Sequence, residues 1–194
     1  MYKINEIFRS IQGEGINAGR IATFVRFSGC NKSCEWCDTS HVLNSEFILS
    51  DLVDKIISIA EPKGLVVLTG GEPALQIDSF LIDSLHHYDF ELALETNGSI
   101  GMHSYSLARI RTVTVSPKDL DIKIKNGMEL KVVNDEGWHE SDFKSMQKLN
   151  FHHFIIQPCT WQGGTNYKAT YDLVMKLGSP WRLGCQMHKI IGCK

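Results

Sequence analysis

The sequence predicts an α/β fold: an incomplete TIM-like barrel with a mostly parallel sheet. Three observations predict it. Short apolar runs alternate with amphipathic stretches, the pattern of βαβ units. The 194 residues fall short of the ~250 that eight full βα units take. Polar residue sets follow the apolar runs at Thr69-Gly70-Gly71-Glu72, Glu95-Thr96-Asn97-Gly98, Ser116-Pro117-Lys118 and Gln157-Pro158. In barrels and open α/β sheets, chemistry gathers at these C-terminal strand ends.

The predicted strands are Ile21–Phe27, Leu65–Thr69, Phe90–Glu95, Thr112–Ser116, Met128–Val133, Phe154–Gln157 and Arg182–Gln186. Each is rich in Val, Ile, Phe or Leu and bounded by Gly, Pro, Ser or Asn. Between them the spacing predicts helices. Ser50 caps one whose apolar face is Leu52, Val53, Ile56, Ile57 and Ala60. A second runs from Pro73, which suits a first helical turn, to His87. Glu140–Leu149 and Tyr167–Leu177 are the others, with Gly178 ending the last.

No linker, repeat or low-complexity tract divides the chain, so residues 1–194 are expected to form one domain. Apolar residues make up 43% and charged residues 22%, and the net charge is -2. That balance gives no electrostatic reason to expect nucleic acid or an anionic membrane as a partner. No apolar run approaches a membrane span, and the first residues lack a signal peptide's apolar stretch, so a soluble, cytoplasmic protein is expected. Six cysteines in such a chain read as ligands, nucleophiles or core thiols rather than disulfides.

Cys30, Cys34 and Cys37 fall within eight residues, just after the strand Ile21–Phe27. Three thiolates on one loop suit three corners of an iron–sulfur cube and leave the fourth iron open. A zinc site with His41 as fourth ligand is compatible with the same spacing. A buried-thiol reading suits the loop poorly, because Asn31, Lys32, Ser33 and Glu35 make it polar.

The Cys-x3-Cys-x2-Cys spacing, with Trp36 before the last cysteine, resembles the signature of the radical S-adenosylmethionine (SAM) superfamily. Gly70-Gly71-Glu72-Pro73 resembles its second motif. Further blocks are similar to the 7-carboxy-7-deazaguanine synthases. They are Glu6–Gly15, Phe24–Phe27, Gly29-Cys30-Asn31, Cys37-Asp38-Thr39, Thr69–Pro73, Glu95–Gly98, Val115–Lys118, Glu129–Lys131, Gln157-Pro158 and Gln186–Lys189. Each block is weakly specific, but their ordered combination over almost the whole chain is highly specific.

The resemblance implies a 4Fe–4S cluster on the three cysteines and SAM on its open iron. It implies a 5′-deoxyadenosyl radical that abstracts hydrogen from 6-carboxy-5,6,7,8-tetrahydropterin. Ring contraction and loss of ammonia follow, with SAM regenerated. Magnesium, a homodimer and a flavodoxin or ferredoxin as electron donor are implied as well. Ile11, Gln12, Gly13, Glu14, Arg26, Thr69, His188 and Lys194 are the implied substrate contacts, and Thr39 is the implied magnesium ligand. The implied cofactor contacts are Trp36, Asp38, Gly70, Gly71, Glu72, Ser116, Pro117, Lys118, Gln157, Pro158, Cys159 and Thr160.

Residue chemistry suits these tasks. Arg26 carries a planar fork for a carboxylate, against the bland reading of a surface ion pair. Thr39 offers a hard oxygen, against that of a cap or turn hydroxyl. His188 is expected to face the pocket from the last strand, and otherwise to be structural. Lys194, at the end of Ile190-Ile191-Gly192-Cys193-Lys194, departs from the apolar end expected by family likeness, and its bland reading is a frayed tail. Two rival functions share the core motifs: activation of a glycyl-radical enzyme, and a non-catalytic metal-binding regulatory protein.

Overall fold

The computed structural model describes residues 1–161 and 163–194. The predicted strands appear as β2 (Ile21–Phe27), β4 (Leu65–Gly70), β5 (Glu91–Thr96), β6 (Thr112–Val115), β7 (Asn126–Asn134), β8 (Asn150–Pro158) and β11 (Trp181–Leu183). They pair in parallel in the order β11-β8-β7-β6-β5-β4-β2. Two elements outside the expected set complete the nine-stranded sheet: β1 (Tyr2–Ile11), antiparallel to β2, and β3 (Ser45–Phe47), antiparallel to β1. The sheet stays open, so the barrel is incomplete. A small hairpin of β9 (Thr160–Trp161) and β10 (Gly164–Thr165) stands apart from it.

The register shifts in β1 between Ile4 and Glu6. Side chains alternate along a strand, and a bulge resets which face they meet. Tyr2 and Ile4 therefore pack in the core beneath the helices, while Glu6 and Phe8 line the opposite cavity. That break in the alternation, with Lys3, Glu6 and Arg9 interrupting the apolar pattern, explains why β1 does not read as a strand.

The helices are α1 (Leu49–Ile59), α2 (Ser79–His87), α3 (Ser104–Ala108), α4 (Glu140–Met146), α5 (Tyr167–Leu177) and α6 (Met187–Ile191). Ser50 does not cap α1. The cap position is Ile48, and the Ser50 hydroxyl donates to Asp51. The stretch from Pro73 to His87 divides into a 3-10 turn (Pro73–Leu75) and α2. Asp78 starts α2 afresh by accepting the Leu81 N–H at 3.0 Å, and it also accepts the Tyr2 hydroxyl at 2.8 Å. Residues 182–186 form only the short end of β11 before the chain turns into α6, so His188 sits on a helix rather than a strand.

The main core lies between the sheet and its helices, around Val25, Phe27, Leu52, Ile56, Leu68, Leu81, Leu94, Leu130 and Phe143. A smaller cluster of Ala22, Phe24, Leu65, Val67 and Ala93 forms the apolar floor of the other face. Above that floor the same strands turn polar.

Candidate active site

Side-chain alternation raises Arg26, Thr69, Glu95, Thr114, Lys131 and Gln157 on the cavity face, each next to an apolar residue that faces the helices. Two cavities open there, one of about 230 Å³ and the other of about 360 Å³. They share a wall that includes Glu14, Asp38, Thr39, Thr69, Glu95, Gln186 and Lys189.

The first cavity is bounded by the thiol loop. Cys30, Cys34 and Cys37 all line it. Burial pushes the Cys34 thiol up; nearby Lys118 opposes this, and Cys37 and Cys30 add to it. The loop is bolted down on several sides. Asn31 accepts the Asn97 amide at 2.9 Å and donates to Ser99 at 2.9 Å. Lys32 reaches Asp119 at 2.6 Å.

Gly70 and Gly71 let the end of β4 run against this loop. A Cβ at Gly71 would stand 2.0 Å from the Gly29 carbonyl oxygen, and one at Gly70 would meet the Phe27 backbone at 2.3 Å. The Glu72 side chain turns inward and is fully buried. It accepts the Thr96 hydroxyl at 2.6 Å and the Asn97 N–H at 2.7 Å, and so ties two strand ends together. Neither Glu72 nor Pro117 lines the cavity, and the Glu72 carboxylate acts as a support.

The other cofactor candidates do line it: Trp36, Asp38, Gly70, Gly71, Ser116, Lys118, Gln157, Pro158, Cys159 and Thr160. The Trp36 indole donates to Asp135 at 2.9 Å, and the Lys118 ammonium lies 4.8 Å from its ring centre. Burial holds the Lys118 pKa below the ordinary lysine value, and Cys34 works against that. Burial likewise raises the Cys159 thiol. Gln157 is 2% exposed, and neither atom of its amide has a partner. A buried amide left open on both atoms costs free energy unless a ligand satisfies it. A nucleoside edge that both donates and accepts would satisfy both atoms.

The donor set also bears on the metal. Among the described residues, no three His, Cys, Asp or Glu side chains converge as ligands of a single ion. The His41 imidazole Nδ1 instead lies 3.2 Å from the Thr39 carbonyl oxygen. Three thiols on one loop, all lining the same cavity, suit three corners of a cluster.

The second cavity takes in every expected substrate contact: Ile11, Gln12, Gly13, Glu14, Arg26, Thr69, His188 and Lys194. Arg26 donates from Nε to Glu6 at 2.9 Å, and its guanidinium lies 5.6 Å from the Phe8 ring centre. That bond uses Nε, which an end-on grip through the two terminal nitrogens does not need. Gly13 lets α6 come close, since a Cβ there would stand 2.0 Å from His188 Nδ1. The Met187 N–H donates to the Gly13 carbonyl at 2.8 Å. Lys194 is not frayed. Its ammonium pairs with Glu6 and lies 4.6 Å from the Phe8 ring centre, and its carbonyl accepts the Ser10 hydroxyl.

On the shared wall, Glu95 accepts from Gln12 at 2.9 Å and from Thr69 at 2.9 Å. Glu14 pairs with Lys131 and accepts from Gln186 at 2.7 Å. Burial pushes the Glu14 carboxyl up, but Lys131 overrides it and holds the group below the usual carboxylate range. Thr39 faces both cavities, and its hydroxyl donates to Asp38 at 3.4 Å. Asp38 pairs with Lys189 at 2.6 Å. Glu95, Lys131, Gln186 and Lys189 were not expected as site residues. Their signal was present, since all four lie in the sequence blocks Glu95–Gly98, Glu129–Lys131 and Gln186–Lys189.

An open parallel barrel with three thiols above a Gly-Gly strand end defines a radical SAM protein. The Radical SAM superfamily model matches residues 24–140. The chain is 40% identical to a 7-carboxy-7-deazaguanine synthase of Bacteroides thetaiotaomicron, with 98% of each chain covered. It is 37% identical to the enzyme of that name from Burkholderia multivorans, again with 98% of each covered. Its fold matches the crystal structure of QueE from Escherichia coli with a TM-score of 0.74 at 24% identity, covering 96% of this chain and 94% of that one. The chain belongs to the 7-carboxy-7-deazaguanine synthase family.

Proposed function

We propose that the protein is a radical SAM lyase of queuosine-type 7-deazapurine synthesis. It contracts the ring of 6-carboxy-5,6,7,8-tetrahydropterin to 7-carboxy-7-deazaguanine and releases ammonia. The observation that carries this reading is the junction of the two cavities. One is bounded by three thiols, the other by Arg26 and Gln12–Glu14, and they meet at Thr69 and Glu95. The full-length relatives supply the substrate class.

Cys30, Cys34 and Cys37 would hold the 4Fe–4S cluster, with SAM lying across Gly70, Gly71, Ser116, Lys118 and Gln157. When bound, the pair supplies one-electron cleavage and hydrogen-atom abstraction. The chain's own residues bind and orient. Arg26 grips the substrate carboxylate. Gln12, Gly13 and Glu14 read the ring edge, with Gln12 held by Glu95. α6 and the residues after it line the second cavity, fastened at Gly13, Asp38 and, through Lys194, Glu6, and would limit water there. Thr39 would hold magnesium between the cavities, an oxygen ligand suited to that ion.

A cavity of about 360 Å³ that contains an arginine fork suits a small carboxylate better than a protein segment, which disfavours glycyl-radical activation. The one continuous sheet supports reading residues 1–194 as one domain. The exposed Cys37 supports an electron supplied by a small carrier such as flavodoxin or ferredoxin. Six unpaired thiols support work in the reducing cytoplasm, and family likeness supports a homodimer.

The test is anaerobic reconstitution with iron and sulfide, followed by incubation with SAM, reductant and the carboxypterin. Mass spectrometry should find 7-carboxy-7-deazaguanine. Cleavage of SAM with no deazapurine would reject the substrate.

A further inference from the structure

Lys131 stands mid-strand on β7, with its ammonium inside the protein rather than in solvent. Its side chain is 9% exposed, and that of its partner Glu14 is 14% exposed. Buried ion pairs of this kind are seldom the most stable solution, because desolvation of both charges offsets their attraction. Three observations give this pair a task beyond stability.

First, Glu14 is anchored on both oxygens: Lys131 takes Oε2, and Gln186 takes Oε1 at 2.7 Å. Its own N–H donates to Gln12 at 3.1 Å. Second, Glu14 belongs to the wall shared by the two cavities, whereas Lys131 lines only the thiol side. Third, the surroundings are acidic. Glu95 and Glu129 also act on the Lys131 charge, and with Glu14 they outnumber it. Glu95 and Glu129 keep other donors: Gln12 and Thr69 on the first, Ile16 N–H and Thr114 on the second. Glu14 depends most on Lys131.

We propose that Lys131 is a positioning residue that holds Glu14 ionised on the shared wall, so that the site prefers a ligand presenting N–H donors to that wall. This rests on the pterin reading, whose aminopyrimidinone edge carries such donors. A protonated Glu14 would itself donate and would mismatch that edge. The charged and titratable groups around Glu14 are Lys131 and Glu129 of β7, Glu95 of β5, His188 and Lys189 of α6, and Arg26 of β2. Among these, Lys131 is the cation bonded to its carboxylate.

The test compares reconstituted full-length protein with its Lys131→Met and Lys131→Arg variants. Two stable probes are titrated at several pH values: 6-carboxypterin and 6-carboxylumazine, in which an oxygen replaces the 2-amino group. Wild type should prefer the pterin by about tenfold or more on both sides of neutrality, the scale of one buried hydrogen bond to a charged group. Lys131→Met should lose that preference on the acid side and regain it at alkaline pH. Lys131→Arg should retain it. Infrared spectra of Lys131→Met should show a protonated carboxyl band, absent from wild type and abolished by adding Glu14→Gln.

A Lys131→Met protein with wild-type preference and no such band would overturn the proposal. So would a loss equal at every pH and not rescued by arginine, which marks a packing role only. If Lys131→Met does not fold, Gln186→Leu removes the other anchor and should give a weaker form of the same acid-side loss; an unchanged pH profile there would overturn it. Failure of wild type to bind the pterin, with the infrared band behaving as expected, would reject the pterin reading and leave the Lys131–Glu14 assignment standing.

Discussion

The two faces of the same strands have little in common. Toward the helices lie Val25, Leu68, Leu94, Leu130 and Ile156, all fully buried and apolar. One residue along, toward the cavity, lie Arg26, Thr69, Glu95, Lys131 and Gln157. The apolar face is held by many weak, undirected contacts. On the cavity face, Arg26, Thr69, Glu95 and Lys131 each have a named partner, while Gln157 has both amide atoms open. Stability should therefore respond to changes on one face, and binding to changes on the other.

The largest expected break in that symmetry sits in the loop above both faces. Cys37→Ala should abolish cluster assembly, read as iron and labile sulfide after reconstitution, with activity undetectable. The melting temperature of the cluster-free protein should stay close to that of cluster-free wild type, because Cys37 is exposed and outside both hydrophobic clusters. Normal iron loading in that variant would mean the loop is not the cluster site.

Next comes the helix side. Leu94 is fully buried in the main core. Leu94→Ala should cost about 2–5 kcal/mol in denaturant unfolding, from lost transfer energy plus a cavity. The folded fraction should bind the pterin as wild type does. Its neighbour on the strand points the other way. Glu95 lines both cavities, so a comparable loss of stability without loss of binding in Glu95→Gln would blur the contrast between the faces.

Arg26→Gln should leave stability nearly unchanged and raise the KM for the carboxypterin by roughly thirtyfold, the equivalent of about 2 kcal/mol for one charge-assisted grip. A KM within twofold of wild type would reduce Arg26 to the ion pair with Glu6, the bland reading of this residue.

Legibility followed the same division. Strands β2 and β4 to β8 were readable because both the alternating and the continuous apolar patterns point to a buried parallel sheet, whereas the three exposed or half-buried residues of β3 carry no such pattern. Their polar strand ends located the cavity. β1 escaped because its bulge changes the face between Ile4 and Glu6, and no fixed period survives that. α6 escaped because its five residues bury nothing, so Met187–Ile191 carries no amphipathic signal, and its position comes from polar ties to Gly13 and Asp38. Glu72 shows the converse limit. A motif marks it as important, but only the structure shows that its carboxylate faces Thr96 and Asn97 rather than the cavity. Lys131 and Glu14 are far apart in sequence and meet only because β7 and the loop after β1 close on one wall.

A smaller effect belongs to the shared wall. Thr39→Ala should flatten the dependence of turnover on added magnesium while sparing iron and sulfide content. The residue faces both cavities, and its hydroxyl donates only a long hydrogen bond of 3.4 Å to Asp38, so removing it disturbs little else. An unchanged magnesium response would strike Thr39 from the site.

The smallest effect is expected where the two faces no longer govern. Lys194 lines the second cavity, and its ammonium pairs with Glu6 and lies near Phe8, yet its side chain is 62% exposed. Solvent screens such a pair to between about 0 and 1 kcal/mol. Arg26 already neutralises Glu6 from the more sheltered side, with 20% of its side chain exposed. Lys194→Met keeps the backbone carbonyl that Ser10 reaches, and it keeps an apolar stem over Phe8. The KM should therefore move by less than about fivefold, the equivalent of a pair worth under 1 kcal/mol. A larger rise, further increased at low ionic strength, would show that the ammonium contacts the substrate itself, and the exposed end of the chain would then belong with Arg26 as a binding residue.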